Sequence, residues 1–449
     1  MIGHTRIFGE LSTLVKRIRA DGVCVCAHTS RRQVFRFAYD AIHQDLLQEC
    51  VSVTIKVIRD RRVGVSSTET LKPASLSHCA KAAQEMARHA PAQPDIAELP
   101  RHHRIQTRED FLPATAQTSP SMCVALIKRL FHLCKGLGVQ LAGSLTIGED
   151  ELAVVNSSSV ACYAASTIAG VKLVTMYRNL SGYASGVHRN LNRLNLEDLL
   201  QRALNQSLHR REPIRLPLGT YEVILEPEAV AELVGWLGDT AFGAKSVEEH
   251  KSFLAGRMGE QLMDPSLTIY DDGNDPLALR LPFDFEGTPK QKTLLIDRGR
   301  AVGIVYDTTY GARFGHPSTG HAMPADDVEG PLPMHLAMEP GTTPLSEMIR
   351  GCKRGLLIPR FHYVNGLLNP REALMTGLTR EGTFLIEHGQ LVKPVATMRF
   401  TQSLLEAFRQ VVGVSQERRL IADPSQDLGC ALMPALHLAG LRFTGGSDR

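Results

Sequence analysis

Two carboxylates, Asp284 and Glu286, stand on alternate residues of Pro282-Phe-Asp-Phe-Glu-Gly287. Such a pair can divide acid and base work when the two environments push the pKa values apart. The same spacing suits a turn in which Asp284 binds backbone amides and Gly287 ends a strand, and the turn is the favoured reading. A second group lies in Gly315-His-Pro-Ser-Thr-Gly-His321. A loop can carry His316 and His321 to one metal ion, with Asp307 assisting. Ser318 and Thr319 could hold a substrate backbone or a tight turn, and Gly320 supplies positive φ without steric cost. Asp284, Glu286, Ser318, Thr319 and His321 are therefore the candidates for binding substrate or lining a cavity. No residue is assigned a catalytic role or a metal.

Other patterns carry less chemistry. Cys24 and Cys26 share a face if residues 23–27 form a strand, but no second cysteine pair stands at ligand spacing, so they read as small buried hydrophobes. His250 follows Glu248-Glu249 and would share a helical stripe with Val247, Leu254 and Met258, which is a packing position. The Phe253-Leu254 face of that helix is the expected dimer surface. Cys430 reads as structural. Neither a Gly-x-Ser-x-Gly elbow nor a phosphate-binding glycine loop before a helix is present.

Composition bounds the partners. Hydrophobic residues make up 43% and charged residues 22% of 449, ordinary for a soluble chain of two or three domains. A net charge of +3 makes no strong case for nucleic acid or an anionic membrane. The basic clusters Arg59-Asp-Arg-Arg62, Arg101-His-His-Arg104 and His209-Arg-Arg211 are short and read as solvated turns. Nine scattered cysteines argue against a disulfide framework. The uncharged window 152–171 is as long as a membrane span, but it is rich in Val, Ala and Ser and reads as soluble strands. The charged N-terminus is unlike a signal peptide, so a reducing cytoplasm is the expected location.

The elements that must position these residues fall into two parts. Residues 1–215 read as an α/β domain and 216–449 as a mostly β domain. In the first, helices are expected at 11–18, from 36–41 through 47, and at 75–88, 123–136 and 196–208. Strands are expected at 51–58, 62–67, 139–147, 152–155, 160–168, 171–177 and 181–187. Two strand-strand-helix blocks thus flank the proline-rich loop 90–116. Beyond a junction at 213–219 come a strand at 220–225 and a helix at 227–237. A helix is expected to open with a capping box at Ser246-Val-Glu-Glu249, and another, 403–412, with the box Ser403-Leu-Leu-Glu406. Residues 434–443 read as the last strand.

The order Pro282–Gly287, Arg298-Gly299, Tyr306-Asp307, Ser318-Thr-Gly320, Pro340-Gly341 and Gly377-Leu-Thr-Arg-Glu-Gly-Thr-Phe-Leu-Ile386 resembles the TldD/PmbA family, also called modulators of DNA gyrase. Phe384-Leu-Ile-Glu-His-Gly389, Pro394, Arg399-Phe-Thr401 and Pro434-Ala-Leu-His-Leu-Ala-Gly440 extend the resemblance. It implies an α/β N-terminal domain followed by a mostly β C-terminal domain built around a curved sheet. One branch of the family is a zinc protease with a His-Glu-x-x-x-His helix after the first C-terminal strand. None of the seventeen histidines here is followed by glutamate. The matching stretch, residues 229–241, offers Glu232 and Asp239 but no histidine or cysteine.

The resemblance therefore implies the metal-free branch: a heterodimer with a His-Glu-x-x-x-His-bearing TldD-like paralogue. Zinc is expected in that partner and no cofactor in this chain. The substrate would be an unfolded or modified peptide, with no membrane involved. Two other readings remain open on sequence alone. One is a homo-oligomeric binding or adaptor protein; the other is a divergent metalloenzyme using His316 and His321.

Overall fold

The computed structural model describes residues 1–103, 105, 110–208, 212–425 and 428–446. The chain opens with α1 (His4–Arg17), β1 (Gly22–Ala38), β2 (Ala41–Arg59), β3 (Arg62–Thr68) and α2 (Pro73–His89). The short α3 (Pro113–Ala116) precedes α4 (Pro120–Cys134), β4 (Gln140–Asn156), β5 (Ala161–Tyr177), β6 (Leu180–His188) and α5 (Leu196–Ser207). All six strands form one antiparallel sheet, ordered β3-β2-β1-β4-β5-β6. Each half is a helix, three strands and a helix, and the halves meet where β1 pairs with β4.

Both halves use the same packing device. A Cβ at Gly64 on β3 would lie 2.0 Å from the Ala83 carbonyl oxygen of α2, and one at Gly182 on β6 would lie 1.9 Å from that of Ala203 on α5. Only glycine lets the outer strand approach the helix backbone so closely. The helices cover one face of the sheet through two apolar clusters, one around Val25, Ile55 and Ala83, the other around Phe35, Ile127 and Leu173.

The stretch expected to lead into a helix through residue 47 is instead a hairpin of β1 and β2 turning at Tyr39 and Asp40, both at positive φ. Its tip extends beyond the helices, so residues 43–50 of β2 are exposed and the strand's apolar alternation disappears. Arg61, in the cluster Arg59–Arg62, stands in the β2–β3 turn. Residues 104 and 209–211, from the other two basic clusters, lie outside the described residues. The four short strands expected between 139 and 177 are two long ones, β4 and β5. Among the described residues no helix is long and apolar enough to cross a membrane.

The second part begins with β7 (Gly219–Leu225), α6 (Pro227–Ala241), α7 (Ala244–Glu248), β8 (Ile269–Asp271), β9 (Thr293–Asp297) and β10 (Arg300–Ala301). It continues with α8 (Thr308–Phe314), β11 (His335–Met338), α9 (Leu345–Gly351), β12 (Arg354–Ile358), β13 (Arg360–Asn369) and β14 (Leu374–Arg380). It closes with β15 (Phe384–Glu387), β16 (Gln390–Pro394), β17 (Met398–Ser403), α10 (Leu404–Phe408), β18 (Val411–Ile421) and β19 (Cys430–Gly446). These strands form a thirteen-stranded mixed sheet whose main path is β10-β9-β8-β11-β19-β7-β12-β15-β16. α6 buries Val230, Leu233, Val234 and Leu237 in the large core with Val223, Leu225, Leu436 and Leu438. Ile224, which alternates with these on β7, packs with Met348 of α9 on the other face.

Four local expectations fail here. α7 starts before Ser246 and stops at Glu248, because the amides of Lys251 and Ser252 both bond the Ser246 carbonyl and close a turn. His250 is exposed at positive φ, so the stripe through Val247, Leu254 and Met258 does not form. Phe253 and Leu254, read as a dimer surface, are 1% and 0% exposed inside the core. Ser403 does precede α10, but its hydroxyl donates to the Glu372 carbonyl instead of capping, and the helix ends at Phe408.

Candidate functional site

The uncovered face of the N-terminal sheet carries Cys24 and Cys26 with their cross-strand partners Lys56 and Thr54. Against it docks the 282–287 turn. Phe283 and Phe285 pack with Leu281, Cys24, Cys26, Val154 and Cys162, and Gly287 takes positive φ close against Val160. Burial pushes the Cys24 thiol up to about 12 and that of Cys26 well above the ordinary range, so both pack as neutral thiols.

Asp284 is 1% exposed. One carboxylate oxygen accepts the amides of Glu286 and Thr288, and the other accepts that of Ala322. Burial, then the charge of Glu286, raises its pKa to about 7. Glu286 accepts Lys56 Nζ at 2.9 Å and the Thr308 amide at 3.2 Å. Burial opposes its ionisation, but the Lys56 ammonium holds it below the usual range. Asp307 caps α8 by accepting the Tyr310 amide, and burial with nearby Glu286 raises it to about 6. Glu286 and Asp307 thus share one lysine while Asp284 leans on backbone amides, and the three acids titrate in different ranges because their environments differ.

Ser318 and Thr319 are half-buried and tie the glycine-rich loop to Tyr306. Their hydroxyls lie 3.2 and 3.1 Å from the Tyr306 carbonyl oxygen, and the Tyr306 amide donates to Thr319 Oγ1 at 2.8 Å. His321 is buried with both ring nitrogens engaged: Nδ1 is 2.9 Å from Thr319 Oγ1 and Nε2 is 2.8 Å from Asp271 Oδ1. An ionised Asp271 only accepts, so Nε2–H donates to it, and the Thr319 hydroxyl, within reach of both Nδ1 and the Tyr306 carbonyl, lets the imidazole stay neutral. That agrees with the lowering of His321 by burial and by Lys290. No ring nitrogen of His321 is left for a metal. His316 is exposed and stacks on Tyr306 at 5.4 Å.

Behind this loop lies an ionic cluster that sequence reasoning missed. Asp271, Lys290, His321 and His335 are all buried. Lys290 Nζ is 3.6 Å from Asp271 Oδ1, and the His335 amide donates to Asp271 Oδ2. Despite burial, Lys290 and His321 hold Asp271 far below the carboxylate range, while burial lowers His335 to about 4. Asp271 ends a three-residue strand and Lys290 follows a turn, so no periodic signal marks either.

The same sheet face continues into a cleft of about 980 Å³. His28, Arg32, Gln48 and Ser52 of the hairpin line it, opposite Asp326 and Ser425 of the second part. Arg32 is fixed at its edge by both oxygens of Asp150 at 2.8 Å, the Glu149 carbonyl and the Pro424 carbonyl. None of the five sequence candidates lines this cleft. Lys56 and Thr54, on the same sheet face, link it to the second part: Lys56 bonds Glu286, and Thr54 bonds Asp326, which lines the cleft.

On the other side of the large core, α6 turns Glu232, Gly235, Trp236 and Asp239 outward. Partial desolvation raises both carboxyls, and Glu329 raises Asp239 further. Nothing stands within 4 Å of where a Gly235 Cβ would be. β13 packs beside the helix, with Gly366 leaving room for Trp236. Among the described residues β13 is paired only with β14, and it exposes Tyr363, Leu367 and Leu368.

Residues 218–445 match the PmbA/TldA metallopeptidase C-terminal domain. An uncharacterised protein of Methanocaldococcus jannaschii is 24% identical over 64% of this chain and 68% of its own length. The metalloprotease TldD homologue of Haemophilus influenzae is 28% identical over 51% of this chain, and the match spans 46% of that protein. The crystal structure of TldE from Thermococcus kodakarensis superposes with a TM-score of 0.88 at 21% identity, covering 97% of this chain and all of that one. The α/β first part and largely β second part are therefore the TldD/PmbA fold.

Proposed function

We propose, for a chain that belongs to the PmbA/TldD family, that it is the subunit without catalytic zinc in a paired metallopeptidase. A zinc-bearing TldD-like paralogue would cut the peptide, and this chain would supply wall and strand edge to the chamber. One observation carries the reading. The outward stripe of α6, on the helix where the zinc branch places its ligands, holds Glu232, Gly235, Trp236 and Asp239 and neither histidine nor cysteine. Two carboxylates a full two turns apart do not reproduce a His-Glu-x-x-x-His site.

The free edge of β13 beside this helix supports the peptide role. An unpaired edge presents backbone donors and acceptors that can hold an extended chain, with Tyr363, Leu367 and Leu368 offering apolar contact. The polar cleft on the N-terminal sheet offers a second surface, of a volume suited to a small segment of polar chain. Asp284, Glu286, Ser318, Thr319 and His321 would shape its wall. All nine cysteines are free, which accords with a reducing, cytoplasmic setting.

The experiment is reconstitution. The purified chain is assayed on an unfolded peptide alone, with the zinc paralogue, and with the paralogue plus chelator. Cleavage that needs both chains and is abolished by chelation is expected. Strong cleavage by this chain alone, or no association with the paralogue, overturns the proposal.

A further inference from the structure

Three adjacent strands of the central sheet, β19, β7 and β12, bring Glu222, Cys352 and His437 together on the face that carries α9. Ile224 and His437 are direct partners across β7 and β19, so they share a face, and Glu222 stands two residues before Ile224 on that same face. Cys352 caps the C-terminus of α9 just before β12. Nε2 of His437 is 2.6 Å from Glu222 Oε1. One potential ligand atom from each of the three residues lies within 4.8 Å of the other two. His437 is 5% and Cys352 1% exposed, while the Glu222 side chain keeps 31% of its surface open.

The backbone makes room for this approach. A Cβ at Gly355 would stand 2.8 Å from Cys352 Sγ and 2.7 Å from the Glu222 carbonyl oxygen. Any larger residue there would push the thiol away from the carboxylate. The sheet itself separates this trio from α6, which packs against the opposite face through Val223 and Leu225.

We infer that Glu222, Cys352 and His437 form a binding site for one divalent transition-metal ion of the zinc type. Thiolate, imidazole and carboxylate together suit zinc and its neighbours and do not suit magnesium or calcium. The open side of Glu222 leaves the fourth position to water. Binding expels the thiol proton, which burial and the Glu222 carboxylate otherwise hold in place up to about 12. The ion would tie β7 and β19 to the junction of α9 and β12, so its effect is on stability and is independent of the α6 reading.

The test uses the full-length, untagged chain, stripped with chelator and titrated with cobalt(II), then with zinc. One cobalt per chain with a sulfur-to-cobalt absorption band, displaced by zinc, is expected. Zinc should also raise the melting temperature. Cys352→Ser should abolish the band and weaken zinc at least as much as the roughly tenfold to hundredfold lost with an outer-shell partner. Cys50→Ser, which removes the exposed thiol, should leave the band intact. No band, a band that survives Cys352→Ser, or one that vanishes with Cys50→Ser overturns the site and leaves a purely hydrogen-bonded trio. If Cys352→Ser does not fold, His437→Gln decides: unchanged zinc affinity overturns the proposal, and weakened affinity in a folded chain supports it.

Discussion

The N-terminal sheet is built by repetition, and the C-terminal sheet by exception. In the first, two helix-strand-strand-strand-helix units meet edge to edge, each with a glycine on its outer strand pressed against a helix backbone. In the second, two parallel pairs interrupt the antiparallel ones, several registers slip, and buried charge collects where regular pairing stops. The regular sheet is a platform and the irregular one brings functional groups to it. The 282–287 turn, with its acids, is where the two meet.

The largest effect that separates the regions is expected from Phe253→Asp. The ring lies in the core of the second part, 6.1 Å from that of Phe242. An unpaired carboxylate there should cost more than about 4 kcal/mol and leave the chain unfolded. Chemical denaturation measures it. A folded monomer in sedimentation would instead restore the residue to a surface.

Next in size is the contact between the regions. Lys56→Met leaves Glu286 buried without its ammonium, and breaking such a pair costs about 3–5 kcal/mol. The double variant Lys56→Met, Glu286→Gln should recover much of that loss, which a double-mutant cycle reads. No recovery would mean that the pair is not the joint between the parts.

A smaller and symmetric effect is expected within the platform. Gly64→Ala and Gly182→Ala each force a Cβ onto a helix carbonyl, at about 1–3 kcal/mol apiece. Similar losses in the two variants, seen as midpoint shifts in urea, would support equivalence of the units. A loss in only one would break it.

The contrast also explains what the sequence revealed. The hairpin of β2 and β3, the Asn195 cap of α5 and the amphipathic α4 follow local rules, and each is legible. The tip of the β1–β2 hairpin is not, because strands that leave the core lose the alternation that marks them. In the second part, glycine and proline punctuation places Asp284 and His321. The partners of Glu286 and His321, which are Lys56 and Asp271, come from 230 and 50 residues away, as does Glu222 from His437, 215 residues on, and no local pattern encodes such pairings. His437 did carry one signal: it is an isolated ionisable residue in the otherwise apolar run 431–441.

The smallest expected effect is a change of slope. Burial and Glu286 raise Asp307 from 3.8 to about 6. The folded chain then binds more proton between those values. The stability that Asp307 contributes is complete below pH 3.8 and is lost as pH rises through about 6. Asp307→Asn keeps the α8 cap but removes this titration, so stability should fall less steeply across that window. An unchanged slope would show that Asp307 ionises normally beside Glu286.

The central claim is that this chain is a non-catalytic half, and peptide cleavage after mixing tests it most directly. The chain alone should leave an unfolded peptide intact, and adding the zinc-bearing paralogue should produce chelator-sensitive cleavage. A variant with the exposed apolar side chains of β13 changed by Leu367→Asp and Leu368→Asp should still associate but cut less. Chelator-sensitive cleavage by this chain alone would contradict the account.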